Sequence, residues 1–506
     1  MSEYRKYRLL EILPGALVWT TLIGCIVLSV FKPLWAIYFI IVFDLFWLFR
    51  ISHFISLTIF GYQRFRKESR IDWLAETKKK GDWQKICHLV FIPTYTEPYE
   101  VLREVFEGLK LSRYPLEQMI VVLAGEERDR VNFELYAQKL VAEYAPLFKK
   151  ILVTMHPQGR LGEVAGKGSN LAWAGRESKK YIDSLGIPYR NVIVSSFDAD
   201  TVVHPQYFAH LAYRYLTHPH PTRASFQPIA LFNNNVWESH AFSRVVSYST
   251  TFWLMSEQMR PERLSTFSSH SMSFQALVEI GFWQEDIVTE DSRIGLQGIM
   301  HYDGDYSIEP MYIPLSMDIV SGKNFWQTVK SQYRQQRRWA YGIENFPWMI
   351  WNFGANRKIR FLTKFRYIFN QLEGVYSWAT APLVIFIVGR LPLWLANRQD
   401  TVSAAAQNTP HILQWLMAAS MIGIFFSAVL GATLLPPRPP TASRWRYLFM
   451  ILQWALLPFT LIIFGSIPAT ESVTRLMLGK YLGFDVTQKV RKRTPILRSP
   501  EVTSVH

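Results

Sequence analysis

The sequence predicts an α/β, Rossmann-like domain inserted between N- and C-terminal groups of transmembrane helices. Three observations carry this reading. The chain is nearly uncharged over long stretches near both ends, its middle alternates short β-branched runs with helical patterns, and polar or acidic residues cluster where those runs stop.

Two apolar stretches open the chain, Leu13 to Phe31 and Pro33 to Phe49. Each is close to the roughly twenty residues that cross a bilayer core, and together they read as a helical hairpin. No small-residue cleavage site follows the first, so both are expected to be anchors rather than a signal peptide. Three further spans are expected at Val375 to Leu395, Ile412 to Leu435 and Tyr447 to Ile467.

Orientation follows from the basic flanks. Arg5, Lys6 and Arg8 precede the first span, and Arg64, Arg66, Lys67 and Lys78 to Lys80 follow the second, which predicts a cytoplasmic middle. Arg438, Arg444 and Arg446 after the fourth span agree with that side, but a fifth crossing would export a tail carrying Lys489, Arg491, Lys492 and Arg493. Either the segment around Pro458 is re-entrant, or one span is miscounted, or the tail is an exception to the rule. The expected division is an N-terminal hairpin over 1–62, a cytoplasmic domain over 63–366, a membrane region over 367–470 and a basic tail over 471–506.

Composition supports the same picture. Apolar residues make up 49% of the 506 residues and aromatics 15%, with 18 Trp and 34 Phe, more than a soluble core of this length requires. The formal charge of +15 sits at membrane flanks and on one Trp-rich helix, which fits anionic lipid and phosphorylated ligands and argues against nucleic acid. Cys25 and Cys87 are too few for a disulfide framework or a zinc site.

Within the middle, strands are predicted at His88 to Ile92, Met119 to Leu123, Ile151 to Met155 and Val192 to Phe197, separated by helices such as Glu100 to Leu111 and Asn132 to Tyr144. The alternation predicts a parallel sheet covered by helices, with ligands at the carboxyl ends of the strands. The first strand ends in Pro93-Thr94-Tyr95-Thr96-Glu97-Pro98, whose Thr94 and Glu97 could meet a nucleoside or cap the next helix. The fourth ends in Asp198-Ala199-Asp200, two carboxylates that suit Mg²⁺ or Mn²⁺ together with phosphate oxygens. Further on, Thr289-Glu290-Asp291 offers a general base, or a helix N-cap followed by first-turn acids. The helical segment Phe325 to Tyr341 combines Arg forks with Trp faces, which suits phosphates and sugar rings and also suits a membrane surface.

Taken in order, PTYTEP, the GKGSN of Gly166 to Asn170, Asp198 and Asp200, Thr289 to Asp291, and Gln335-Gln336-Arg337-Arg338-Trp339 resemble the family-two inverting glycosyltransferases. The resemblance is to the membrane-bound branch that includes cellulose, chitin and hyaluronan synthases. It implies a GT-A-type catalytic domain and a hexosyltransferase that uses a nucleotide sugar, a UDP-sugar ahead of a GDP-sugar, with the base left open by the departure after the second strand. It also implies roles. Thr94 and Glu97 would lie at the nucleoside, Lys167 would line the donor pocket, Asp198 would face the nucleotide, and Asp200 would complete the metal site. Asp291 would be the catalytic base, Arg338 would lie near the leaving diphosphate, and Gln335 and Trp339 would meet the acceptor. The chain departs from the family at Ala124-Gly125-Glu126-Glu127-Arg128-Asp129, where paired acids with Gly and Ser are usual, and in the segment Ser265 to Phe274, where His270 could touch the acceptor or be packed.

The expected activity is polysaccharide elongation in a plasma or inner membrane, with a glycan acceptor, membrane lipid around the helices, and a second copy or an export partner widening a thin membrane wall. A single addition to a lipid acceptor would use the same motifs. A catalytically silent scaffold is disfavoured because Asp198, Asp200, Asp291 and Arg338 are all present.

Overall fold

The computed structural model describes residues 2–396, 421–440, 443 and 445–483. Helix α1, Glu3–Phe31, and helix α2, Pro33–Glu68, form the expected hairpin. At 36 residues α2 is about 54 Å long, well beyond a bilayer core. Its last turns leave the apolar span and dock on the domain: a Cβ on Gly61 would lie 2.5 Å from the Met255 carbonyl oxygen, and the Arg64 guanidinium stands 4.1 Å over the Tyr312 ring.

Eight strands form one sheet among the described residues, in the order β3-β2-β1-β4-β7-β6-β8-β5. They are β1 Cys87–Pro93, β2 Met119–Glu126, β3 Lys150–His156, β4 Val192–Ser196, β5 Val202–Val203, β6 Ala224–Phe232, β7 His270–Ser273 and β8 Ser307–Met317. The four strands predicted from sequence pair in parallel as β3-β2-β1-β4. Helices cover both faces of β1 and β2, which are buried throughout, whereas edge strand β3 is partly exposed. A wholly parallel sheet is corrected by the other half: β7 runs antiparallel to both β4 and β6, and β5 antiparallel to β8.

Four helical segments are long and apolar enough to cross a membrane, two at each end: α1, α2, Phe361–Arg390 and Trp445–Met477. The chain is therefore an α/β domain between terminal groups of apolar helices, as an integral membrane protein requires. The helix expected from Val375 begins instead at Phe361, because its first turns pack on the domain, with Arg366 donating to the Glu262 carbonyl and Asn370 to that of Arg263. The span expected at Ile412 to Leu435 lies partly outside the described residues; its described portion, Met421–Thr433, is shorter than a crossing needs. The basic tail at Lys489 to Arg493 lies outside them altogether.

The segment Trp445–Met477 touches the domain's side at both ends. Arg446 Nη1 donates to the Trp237 carbonyl at 2.6 Å, and Arg8 donates to the carbonyls of Leu476 and Met477 at 3.2 and 3.0 Å. Arg8 itself belongs to that side, since the ring of neighbouring Tyr7 meets Trp351 edge-on at 5.7 Å. Between these ends the regular helix gives way to a 3-10 stretch at Gln453–Leu456 and a π stretch at Leu461–Ser466, flanking Pro458.

Candidate active site

The carboxyl ends of β2, β1 and β4 meet at one edge of the domain, where β1 is flanked by β2 on one side and β4 on the other. In an open α/β sheet this reversal of strand order opens a crevice. Ala124 O at the end of β2 accepts from Thr94 N at 2.8 Å and from Asn170 Nδ2 at 2.9 Å, which ties the turn after β1 to the GKGSN helix Lys167–Ser184.

The turn after β1 closes on itself. Glu97 Oε2 accepts from Thr94 Oγ1 at 2.9 Å and from Tyr95 N at 2.5 Å. Pro98, whose side chain carries no hydrogen-bond acceptor, holds the N-cap of the following helix, so Thr94 and Glu97 do not cap it. Across the turn, Arg128 lies 4.2 Å over the Tyr95 ring and bonds to Glu126 at 2.9 Å, and Thr96 N donates to Asp129. Glu126 at the end of β2, with Arg128 and Asp129 just after it, therefore packs against this turn.

Lys167 Nζ lies 2.6 Å from Asp198 Oδ1. Burial alone would lower the Lys167 pKa, but the carboxylates of Asp198, Glu290 and Asp291 outweigh it and hold the ammonium protonated. Gly168 lets this helix approach the acids: a Cβ there would meet both Glu290 Cβ and Gln284 O at 3.0 Å. The lysine and the Thr-Glu-Asp motif thus share one site although they lie more than 120 residues apart in sequence.

Glu290 and Asp291 begin the helix Glu290–His301. Thr289 occupies the N-cap position without capping; its hydroxyl donates to Glu344 at 2.6 Å and its amide to the same oxygen at 3.2 Å. The motif is therefore held by long-range contacts. Arg293, buried, donates to Asn345 at 2.6 Å and Gln284 at 2.8 Å, with its guanidinium 4.5 Å over Trp348. Glu344, Arg293, Asn345 and Gln284 carry no recognisable motif, and sequence reasoning missed them.

The two acids differ. Glu290 is 3% exposed, and burial followed by repulsion from Asp291 pushes its pKa up to about 8. Asp291 remains partly exposed; burial and Asp198 raise its pKa, while Lys167 and Arg338 oppose the rise. Burial thus raises both carboxyls, and the two titrate as an interacting pair. Arg338 reaches this field from the helix Phe325–Ala340, where Gln335, buried, accepts from Gln332 at 3.2 Å. Trp339 packs against Phe232, ring centroids 6.2 Å apart.

Asp200 is fully buried; its Oδ2 accepts from Asp318 N at 2.8 Å, and Asn234 Nδ2 bridges Asp200 O and Asp318 Oδ1, both at 3.0 Å. Asp198 keeps a quarter of its side chain exposed. The pair offers only oxygen donors, the chemistry a hard divalent ion takes. No group of three or more His, Cys, Asp or Glu suited to a metal occurs among the described residues, so an ion here would need diphosphate and water to fill its shell. His270 is buried in β7 with its pKa lowered by burial to about 4, and Nδ1 faces the Phe267 carbonyl at 2.9 Å, which makes it a packed histidine rather than an acceptor contact.

These features define an α/β domain with an acid-rich crevice, tethered to a membrane by apolar helices. Residues 193–467, more than half of the chain, match the family model "Glycosyl transferase family group 2", and the chain belongs to that glycosyltransferase family. Its Rossmann-like sheet is accordingly of GT-A type. No curated protein matches the chain. Among solved structures it is similar to the mannosyltransferase PcManGT from Pyrobaculum calidifontis in complex with GDP-Man and Mn²⁺, at 14% identity over 74% of this chain and 99% of that one, with a TM-score of 0.42. It is similar also to TarS 1-349 from S. aureus in complex with UDP, at 12% identity over 79% of this chain and 94% of that one, with a TM-score of 0.36.

Proposed function

We propose that the chain is an inverting hexosyltransferase of the synthase branch, which draws a nucleotide sugar from the cytoplasm and elongates a polysaccharide. The observation that carries this reading is the convergence of acids on one lysine: Asp198 lies 2.6 Å from Lys167 Nζ, and Glu290, buried, and Asp291, partly exposed, lie in the same charge field. Asp291 takes the proton of the acceptor hydroxyl as its oxygen attacks the anomeric carbon. The bond from that carbon to the diphosphate oxygen breaks, and the electron pair leaves with the nucleoside diphosphate. Arg338 and Lys167 face the charge that develops there. Thr94 and Glu97 lie at the nucleoside end, and Gln335 and Trp339 at the acceptor end. A Mg²⁺ or Mn²⁺ ion, when bound by Asp198 and Asp200, would neutralise the diphosphate.

The domain, residues 63–366, is placed in the cytoplasm, where the basic flanks of α1 and α2 belong. The segment Trp445–Met477 is read as re-entrant, because both of its ends contact the domain's side. That assignment returns the basic tail to the cytoplasm and removes the conflict with the positive-inside rule.

Incubating the purified chain with UDP- and GDP-sugars and sizing the product tests the reading. Long chains from a UDP-sugar are expected; a single sugar on a lipid would replace elongation with the lipid-acceptor reading.

A further inference from the structure

We infer that the outward flank of the helix Phe325–Ala340 is a headgroup site for an acidic phospholipid of the surrounding bilayer. The inference concerns the side of this helix turned away from the crevice, and it stands whether or not the transferase reading holds.

The helix has two opposed faces. Thr328, Gln332, Gln335 and Gln336 are buried against the protein, while Trp326, Lys330 and Arg334, one turn apart from each other, are exposed. Between them lies a concavity of about 490 Å³ lined by Trp326, Val329, Lys330, Tyr333, Arg334 and Arg337.

Its charge is unbalanced. The acid beside it, Glu471, is already taken by Tyr333 OH at 2.7 Å, Arg337 at 2.8 Å and Arg475 at 2.6 Å. Among the described residues no carboxylate pairs with Lys330 or Arg334. Two cations on the same stripe, one turn apart, can grip a phosphate from two sides.

The surroundings select a lipid as the source of that phosphate. Glu471 belongs to the apolar segment Trp445–Met477, and Ser472 Oγ of the same segment donates to the Arg337 carbonyl at 2.7 Å. At the other end of the helix, Phe325 meets Phe242 edge-on at 5.6 Å, and Phe242 stacks on Phe464 of that segment at 5.2 Å. The helix therefore packs along an apolar segment that also leaves Ile463 and Ile467 exposed, at 45% and 44%. Trp326 is 76% exposed and Phe325 48%, a poor arrangement in water and a favourable one at headgroup level. Lys330 and Arg334 would hold the phosphate, and Trp326, Val329 and Tyr333 would line the path of the glycerol and upper acyl carbons.

The test uses the full chain in detergent and native mass spectrometry with phosphatidylglycerol or phosphatidylcholine of matched acyl length. Wild type is expected to retain phosphatidylglycerol over phosphatidylcholine, and Lys330→Gln/Arg334→Gln to lower that retention about tenfold. Lys330→Arg/Arg334→Lys should keep it. An unchanged size-exclusion profile and melting temperature show that the Gln variant is folded. Equal retention of the two lipids, or unaltered phosphatidylglycerol retention in the Gln variant, overturns the site. Displacement of the lipid by millimolar inorganic phosphate overturns it too, since the ligand would then be a free anion.

Discussion

Lys167 Nζ and Asp198 Oδ1 stand 2.6 Å apart, joining the first residue of one helix to the end of β4. The same ammonium opposes the rise that burial imposes on the pKa of Asp291. Replacing it should therefore act on the base as well as on the donor. In Lys167→Gln the acid limb of the pH–kcat profile should move to higher pH, because Asp291 then holds its proton longer, and activity lost at neutral pH should be partly regained as pH rises. A loss of rate with the limb unmoved would mean that Lys167 only binds donor.

Glu290 makes a second pH prediction, in stability. Its folded pKa is raised from 4.5 to about 8, so the folded state keeps a proton that the unfolded state has released between those values. Its contribution to stability is full below the unfolded pKa and is lost as pH rises through that window. Glu290→Gln should flatten the decline in melting temperature between pH 5 and pH 8, and should gain at the alkaline end, by several degrees. Parallel curves for variant and wild type would show that Glu290 is charged in the fold.

The Arg8 contacts with Leu476 and Met477 place the end of the last apolar segment beside the start of the first. A cysteine at Lys480, in a chain lacking Cys25 and Cys87, should react with an impermeant maleimide only after the cells are opened. The same holds for a cysteine at Lys78. Labelling of Lys480→Cys from outside intact cells would make Trp445–Met477 a crossing.

Much of the parallel half-sheet was legible because β1, β2 and β4 are buried strands built around the apolar runs Leu89 to Ile92, Met119 to Ala124 and Val192 to Val194. The other half hid its strands. β6 contains Pro228, and its pairing with β8 shifts register between Gln227 and Ile229; β8 contains Pro310 and Pro314; β7 is the polar run His270-Ser271-Met272-Ser273, made a strand by its neighbours β4 and β6. The site was legible as motifs and not as a network. Lys167, Asp198 and Asp291 stand in recognisable patterns, but what orients them is contributed from far along the chain: Glu344 to Thr289, and Asp318 to Asp200 across 118 residues. Gly168 was visible within GKGSN, yet only the packing of Glu290 against it gives the reason for glycine.

The central claim is that Asp291, and not its buried neighbour, removes the acceptor proton. Asp291→Asn deletes one charge at nearly constant volume, so the fold and donor affinity should persist. As a helix-terminus acid Asp291 would contribute only about 0.3 to 1 kcal/mol, whereas a general base contributes about a hundred- to ten-thousand-fold in rate. The direct measurement is single-turnover transfer from bound nucleotide sugar to acceptor, alongside donor affinity, for wild type and Asp291→Asn. The account predicts donor binding within a few-fold of wild type and transfer slowed by at least about a hundredfold. A folded Asp291→Asn chain that binds donor and transfers sugar at close to the wild-type rate would contradict it.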